Sequence, residues 1–288
     1  MVENNDEGII WSGSDLTYAC LIDPKRTMAF KKAIQETVKN GDIVVDVGSG
    51  TGILAFFAAE AGAKKVYAVE VDPMLSEYLK RSIRANDLTD VIEVLSGDAL
   101  EVDLPQNVDV VIAELIETGL LEEMQVKVMN GLRAKGVVGQ STKVIPQSYE
   151  TRLQLVELDN SYYGYKIMSP AHDWPNYSAE AEGWTKLKTQ DLTGPVSLGV
   201  FNFQEGLIEP KVKKIVEFAD IKEGIINSLK LSGIVNLTNN IKLGPTNSVN
   251  GNKYIPIEQI ENEGKLKAKT SFEMGTGLHS FKLSKLDY

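Results

Sequence analysis

The chain has 288 residues, a formal net charge of −10 and 43% hydrophobic residues, enough for a large core and without any low-complexity tract. Cys20 is the only cysteine, and His172 and His279 the only histidines, which excludes an intrachain disulfide and argues against a cysteine- or histidine-built metal site. No apolar run reaches membrane-spanning length and MVENNDEGII lacks the basic start of a secretory signal, so a cytoplasmic, non-membrane protein is expected.

TMAFKKAIQETVKNGD places Met28, Phe30, Ile34 and Val38 at helical spacing and ends at Gly41, predicting an amphipathic helix. IVVDV (43–47) reads as a buried strand, 53–63 as a helix stopping near Gly62, and 66–70 as a second strand. Pro73 can open a helix over 73–87. Strands are then predicted at 91–99, 108–114 and 136–144, with a helix over 118–132. Apolar strands alternating with helices argue for a mostly parallel, three-layer α/β sheet over residues 1–145.

After Pro146 the texture changes. ETRLQLVEL, GPVSLGVFNF, KVKKIVEFA, GIVNLTNNIKL, KLKAKTSF and HSFKLSKL read as strands separated by Gly, Asn and Pro turns. Residues 146–288 are therefore expected to form an antiparallel, β-barrel-like domain. The aromatic segment 162–184 interrupts it; a lid or self-association arm, which would make a homodimer, and further strands are both open readings.

The chemistry is concentrated in the first half. IVVDVGSGTGIL sets Gly48, Gly50 and Gly52 between a strand and a helix, where a ligand can approach the backbone closely. The spacing is GxGxG, not the GxGxxG of dinucleotide sites. Glu70 ends the next strand, placed to accept both hydroxyls of a ribose; Asp46 can meet an ammonium, and Asp98, in SGDA, an adenine amino group. A ligand with a ribose, an adenine and a cationic amino-acid part but no phosphate suits this set, and S-adenosylmethionine has those parts. Alternatively the glycines shape a turn, and the Gly97-Asp98 pair is itself a common turn dipeptide.

VDVGSGTGILAFFAAEAGAKKVYAVE closely resembles the cofactor motifs of class I S-adenosylmethionine-dependent methyltransferases, and specifically of the protein arginine methyltransferases. LIDPKRTMAFKKAI resembles the stretch before that family's first strand, which implies that Arg26 binds the methionine carboxylate and that Met28 lies near the sulfonium. The resemblance also implies a double-glutamate loop, with Glu114 and Glu123 gripping the substrate guanidinium. Two carboxylates can satisfy a guanidinium fork and compensate its charge. By residue pattern alone, Glu114 ends a strand at the ligand edge of the sheet, Glu123 borders the stripe Leu121, Met124, Val128 and Leu132, and Glu117 reads as solvated.

Departures from the family pattern gather on the acceptor side. Its threonine-histidine-tryptophan motif is missing, with NGNK (250–253) at that position; Leu115 and Thr118 replace aromatic residues, Leu100 replaces a glutamate that contacts adenine, and Trp11 stands near an N-terminal tyrosine. The expected function is methyl transfer from S-adenosylmethionine to arginine in a basic protein or peptide. The rivals are transfer to RNA or a small molecule, for which KVKK (211–214) is a short basic candidate in an acidic chain, and a non-enzymatic cofactor-binding scaffold.

Overall fold

A computed structural model describes residues 14–173 and 187–286. Two helices, α1 (Ser14–Ile22) and α2 (Pro24–Thr37), lead into the first sheet. Asp23 caps α2 by accepting the Arg26 N–H at 3.1 Å, and Pro24 occupies the first turn, where a missing N–H costs no helix bond. The sheet is built from β1 (Ile43–Val47), β2 (Lys65–Glu70), β3 (Ile92–Ser96), β4 (Val110–Ala113) and β5 (Lys143–Ile145), all parallel, in the order β3-β2-β1-β4-β5. Helices α3 (Ile53–Glu60), α4 (Pro73–Ala85) and α5 (Gln125–Ala134) connect its strands. Strand order reverses between β1 and β4, so the loops leaving these two strands diverge and open a crevice at their C-terminal ends. That crevice positions the site.

Several predicted elements are shorter than expected. Strand 136–144 contracts to β5, and the helix predicted over 118–132 does not begin until Gln125. Instead, Thr118–Leu120 form a single 3₁₀ turn in which Gly119 (φ 82°) and Leu120 (φ 60°) leave helical geometry. The segment from Glu114 to Met124 is therefore a shaped loop despite its helical apolar spacing.

The second half is antiparallel, as its Gly, Asn and Pro turns lead one to expect. A seven-stranded sheet holds β6 (Ser148–Leu158), β9 (Ala171–His172), β10 (Thr189–Asp191), β11 (Val196–Asn202), β13 (Ile226–Asn236), β14 (Lys242–Leu243) and β15 (Lys253–Ile260). A three-stranded sheet runs β12 (Lys211–Phe218), β16 (Leu266–Glu273), β17 (Lys282–Leu286). Alternation along β12 and β16 buries Val212, Val216, Phe218, Leu266, Ala268 and Phe272 in a core shared with the larger sheet. Strand β15 is not announced by the sequence because Pro256 cannot donate to a ladder. It is tolerated because β9 pairs only with Lys253 and Tyr254, which leaves the Pro256 side open.

Within 162–184, Ser161–Tyr162 and Tyr165–Lys166 form a small hairpin (β7 and β8) with Tyr163 93% exposed, and Ala171–His172 join the large sheet as β9. Residues 174–184 of that segment, and Trp11, lie outside the described residues. No helix among the described residues is long and apolar enough to cross a membrane.

Candidate active site

The turn after β1 is closed by glycine. Gly48, Gly50 and Gly52 have φ of 70°, 53° and 83°, values that side-chain-bearing residues seldom adopt. A Cβ at Gly48 would also strike Leu115, and one at Gly52 would strike the buried Leu79. The Gly48 and Ser49 N–H groups both donate to the Val69 carbonyl at 3.0 Å, folding the turn back onto β2. There the Glu70 carboxylate accepts from the Gly50 N–H at 2.7 Å and the Asp72 N–H at 2.9 Å. A buried acid thus joins both strand ends at the rim of a cavity lined by Gly48, Gly50, Glu70, Arg26, Glu114 and Glu123.

Arg26, near the start of α2, is buried at 6% exposed. Its Nη1 donates to the Cys20 carbonyl at 3.3 Å and its Nη2 pairs with the Glu114 carboxylate. Burial alone would push this guanidinium down, but Glu114 more than offsets that and holds it charged. Its Nε is buried with no acceptor among the described residues. Asp46 lies 1% exposed in β1 with Oδ2 likewise unpartnered, and removal from water raises its carboxyl to about 7. Asp46 sits in the strand beneath the turn and does not itself line the cavity. Burial pushes the neighbouring Cys20 thiol up to about 12, so it supplies no thiolate.

The four glutamates between residues 114 and 123 face different partners. Glu114 has Arg26. Glu117 corrects the expectation of a solvated side chain: it is 2% exposed and ion-paired with Lys253, and burial raises its carboxyl to about 7 despite that cation. Glu122 meets the same Lys253 Nζ at 2.8 Å. Glu123 alone of the four has no ion pair among the described residues. Burial, then the nearby Glu114 and Glu117 charges, raise its carboxyl well above the ordinary range. This is a carboxylate in want of a cation.

Two predicted donor contacts stand apart. Met28 is 58% exposed and Asp98 is also exposed, its carboxylate accepting from the Leu100 N–H at 2.8 Å as a turn cap; neither lines the cavity. Leu100 leans on Gly131 of α5. Thr118 is buried and donates to the carbonyls of Gly251 at 2.6 Å and Val249 at 3.1 Å, so it anchors a loop and walls no channel. Sequence reasoning missed Lys253, whose only signal was its place where a histidine-containing motif would stand.

The residues present fit S-adenosylmethionine: an unused buried guanidinium donor for a carboxylate, an acid at a strand end for a diol, and a turn too tight for side chains. Residues 21–160 match the model of the TRM5/TYW2 methyltransferase domain. An uncharacterized protein of Methanocaldococcus jannaschii is 32% identical over 268 residues, 93% of this chain and 95% of that protein. The histone-arginine methyltransferase CARMER of Anopheles gambiae is 47% identical over 91 residues, 31% of this chain but only 14% of that protein. In overall fold the chain matches a Trypanosoma brucei PRMT1 enzyme-prozyme complex with AdoHcy at a TM-score of 0.71 and 18% identity, covering 96% of this chain and 98% of that one. S-adenosylmethionine is the cofactor that this fold and these residues suit. The chain belongs, as a divergent member of the protein arginine methyltransferase-like group, to the class I S-adenosylmethionine-dependent methyltransferases.

Proposed function

We propose that this methyltransferase transfers a methyl group to an arginine guanidinium in a basic protein or peptide. One observation carries the reading: Glu123 is a half-buried carboxylate facing the donor cavity, with no ion pair among the described residues. The bound cofactor supplies an electrophilic methyl on a sulfonium. Arg26, Glu70 and the Gly48–Gly52 turn are the residues that would hold it. Glu123 would hold the acceptor cation, with Glu114 contributing charge beside it. Both stand at fixed places on the cavity wall, so the main contribution of the protein is orientation of the acceptor nitrogen, reinforced by electrostatic retention of its charge. The test is Glu123→Gln with labelled S-adenosylmethionine and an arginine-rich peptide. Transfer is expected to fall about 100-fold, the scale of losing one preorganised polar group, with cofactor affinity unchanged. Unaltered transfer would remove Glu123 from the reaction.

A second reading, transfer to RNA, draws support from one surface. On the outer face of the small sheet, Lys213 and Lys282 stand in one row either side of Ser271, with Lys269 in the next row. Three lysines on an acidic chain make a modest phosphate track, without exposed aromatic rings on those strands for bases to stack upon. Fractionating label from a cell extract into protein, RNA and small molecules separates the two readings. No label in any fraction, with cofactor bound, would favour a scaffold. The exposed Tyr163 and Tyr165 support a lid or self-association role for their hairpin.

A further inference from the structure

We propose that Lys253 is a positioning residue of the acceptor site, clamping the loop between Glu114 and Glu123 so that Glu123 is presented to the cavity. The proposal rests on the reading of Glu123 given above. Lys253 begins β15 and is 3% exposed. Its ammonium meets both Glu117 and Glu122, residues 136 and 131 positions away in the chain.

The loop has little internal means of holding its shape. It makes one 3₁₀ turn, broken by two consecutive residues at positive φ, one of them Leu120. A leucine there is strained and persists only where surroundings over-determine it. Those surroundings come from the second half of the chain. The Gly119 N–H donates to the Tyr149 hydroxyl at 2.8 Å, and that hydroxyl donates to Asn250 Oδ1 at 2.8 Å. Thr118 fastens to the carbonyls of Val249 and Gly251, as described. Lys253 completes this by fixing the Glu117 carboxylate, whose Oε2 accepts the N–H groups of Leu121 at 3.0 Å and Glu122 at 3.1 Å. Glu123 is the next residue. One ammonium therefore fixes the backbone just before Glu123 and engages two neighbouring carboxylates, which lessens their competition with Glu123 for the acceptor's charge.

The segment NGNK thus does at this place, by ion pairing, what a loop bearing a histidine cannot do by charge at neutral pH: it delivers a permanent cation to the far side of the glutamate loop. Arg26 and Lys253 bracket that loop, each satisfying its nearest acids and leaving Glu123 over.

The experiment compares wild type with Lys253→Gln and Lys253→Arg, both in the full chain. Lys253→Gln is expected to lower kcat/KM for an arginine-rich peptide at least tenfold, with S-adenosylmethionine affinity within twofold of wild type. Lys253→Arg, whose fork can meet two carboxylates, should recover most of the loss. Amide hydrogen exchange at Leu121 and Glu122 should accelerate at least tenfold in the glutamine variant and recover in the arginine variant. A loss of cofactor affinity equal to the loss of transfer, unrepaired by arginine, would reduce Lys253 to general stability and overturn the proposal. If wild type leaves the peptide unlabelled, the arginine reading fails by itself. Hydrogen exchange then decides Lys253: unchanged protection in the glutamine variant would also overturn it.

Discussion

The two walls of the cavity are made in different ways. The donor wall is local: Gly48, Gly50, Gly52 and Glu70 lie within 23 residues of chain, on adjacent parallel strands whose register is set by Val47 opposite Val69. The wall proposed for the acceptor is assembled at long range, from a loop after β4 pinned by Tyr149 of β6 and by Lys253 of β15, the latter more than a hundred positions distant. A local wall follows from turn geometry, since few residues other than glycine accept such φ values. A long-range wall follows from which charges the folded chain happens to bring together. The donor half can therefore keep a family pattern while the opposite wall departs from it.

Arg26 is where this contrast is easiest to break, because it joins both walls. Arg26→Met leaves the largely buried Glu114 carboxylate without its cation, a change expected to cost at most about 3–5 kcal/mol of stability. It should also weaken S-adenosylmethionine about 100-fold, equivalent to roughly 3 kcal/mol. Calorimetry on a variant shown to be folded would read this, and an unchanged Kd would take Arg26 out of the donor site.

Asp46 sharpens the comparison through pH. Its folded carboxyl, at about 7, lies above the ordinary 3.8, so the folded state prefers the neutral acid. Stability from this group is complete below pH 4 and is lost as pH rises through 7. Asp46→Asn, neutral throughout, should therefore match wild type near pH 4 and melt several degrees above it at pH 8, within an upper bound of about 4 kcal/mol. Equal melting temperatures at both pH values would mean that the strand beneath the glycine turn is not as dry as its burial indicates.

The smallest effect is expected at Asp98. It is exposed and its carboxylate is used within its own turn, so Asp98→Ala should lower cofactor affinity no more than about threefold, with a stability cost of roughly 1 kcal/mol for the lost cap. A tenfold or larger loss of affinity would instead place Asp98 on the adenine and extend the donor wall to β3.

Much of the donor wall was legible beforehand. Alternating apolar strands and helices announced a parallel sheet, and glycine spacing with an acid twenty residues on announced a cofactor turn, because each signal is carried by neighbouring residues. Two kinds of feature escaped. The stripe Leu121, Met124, Val128 and Leu132 has helical spacing, yet positive φ at Gly119 and Leu120 delays the helix to Gln125. And Glu117, solvated by pattern, is buried because a lysine from another sheet meets it.

The sequence by itself determined a methyl-donor fold, its turn and the set of acids at the strand ends. Those depend on φ, on side-chain alternation and on spacing, all properties of short stretches. Only the tertiary structure decided which of the four glutamates is left without a cation among the described residues. The protonation and pairing of a carboxylate depend on what lies opposite it within a few ångströms, and here Arg26 and Lys253 come from opposite ends of the chain to claim three of them.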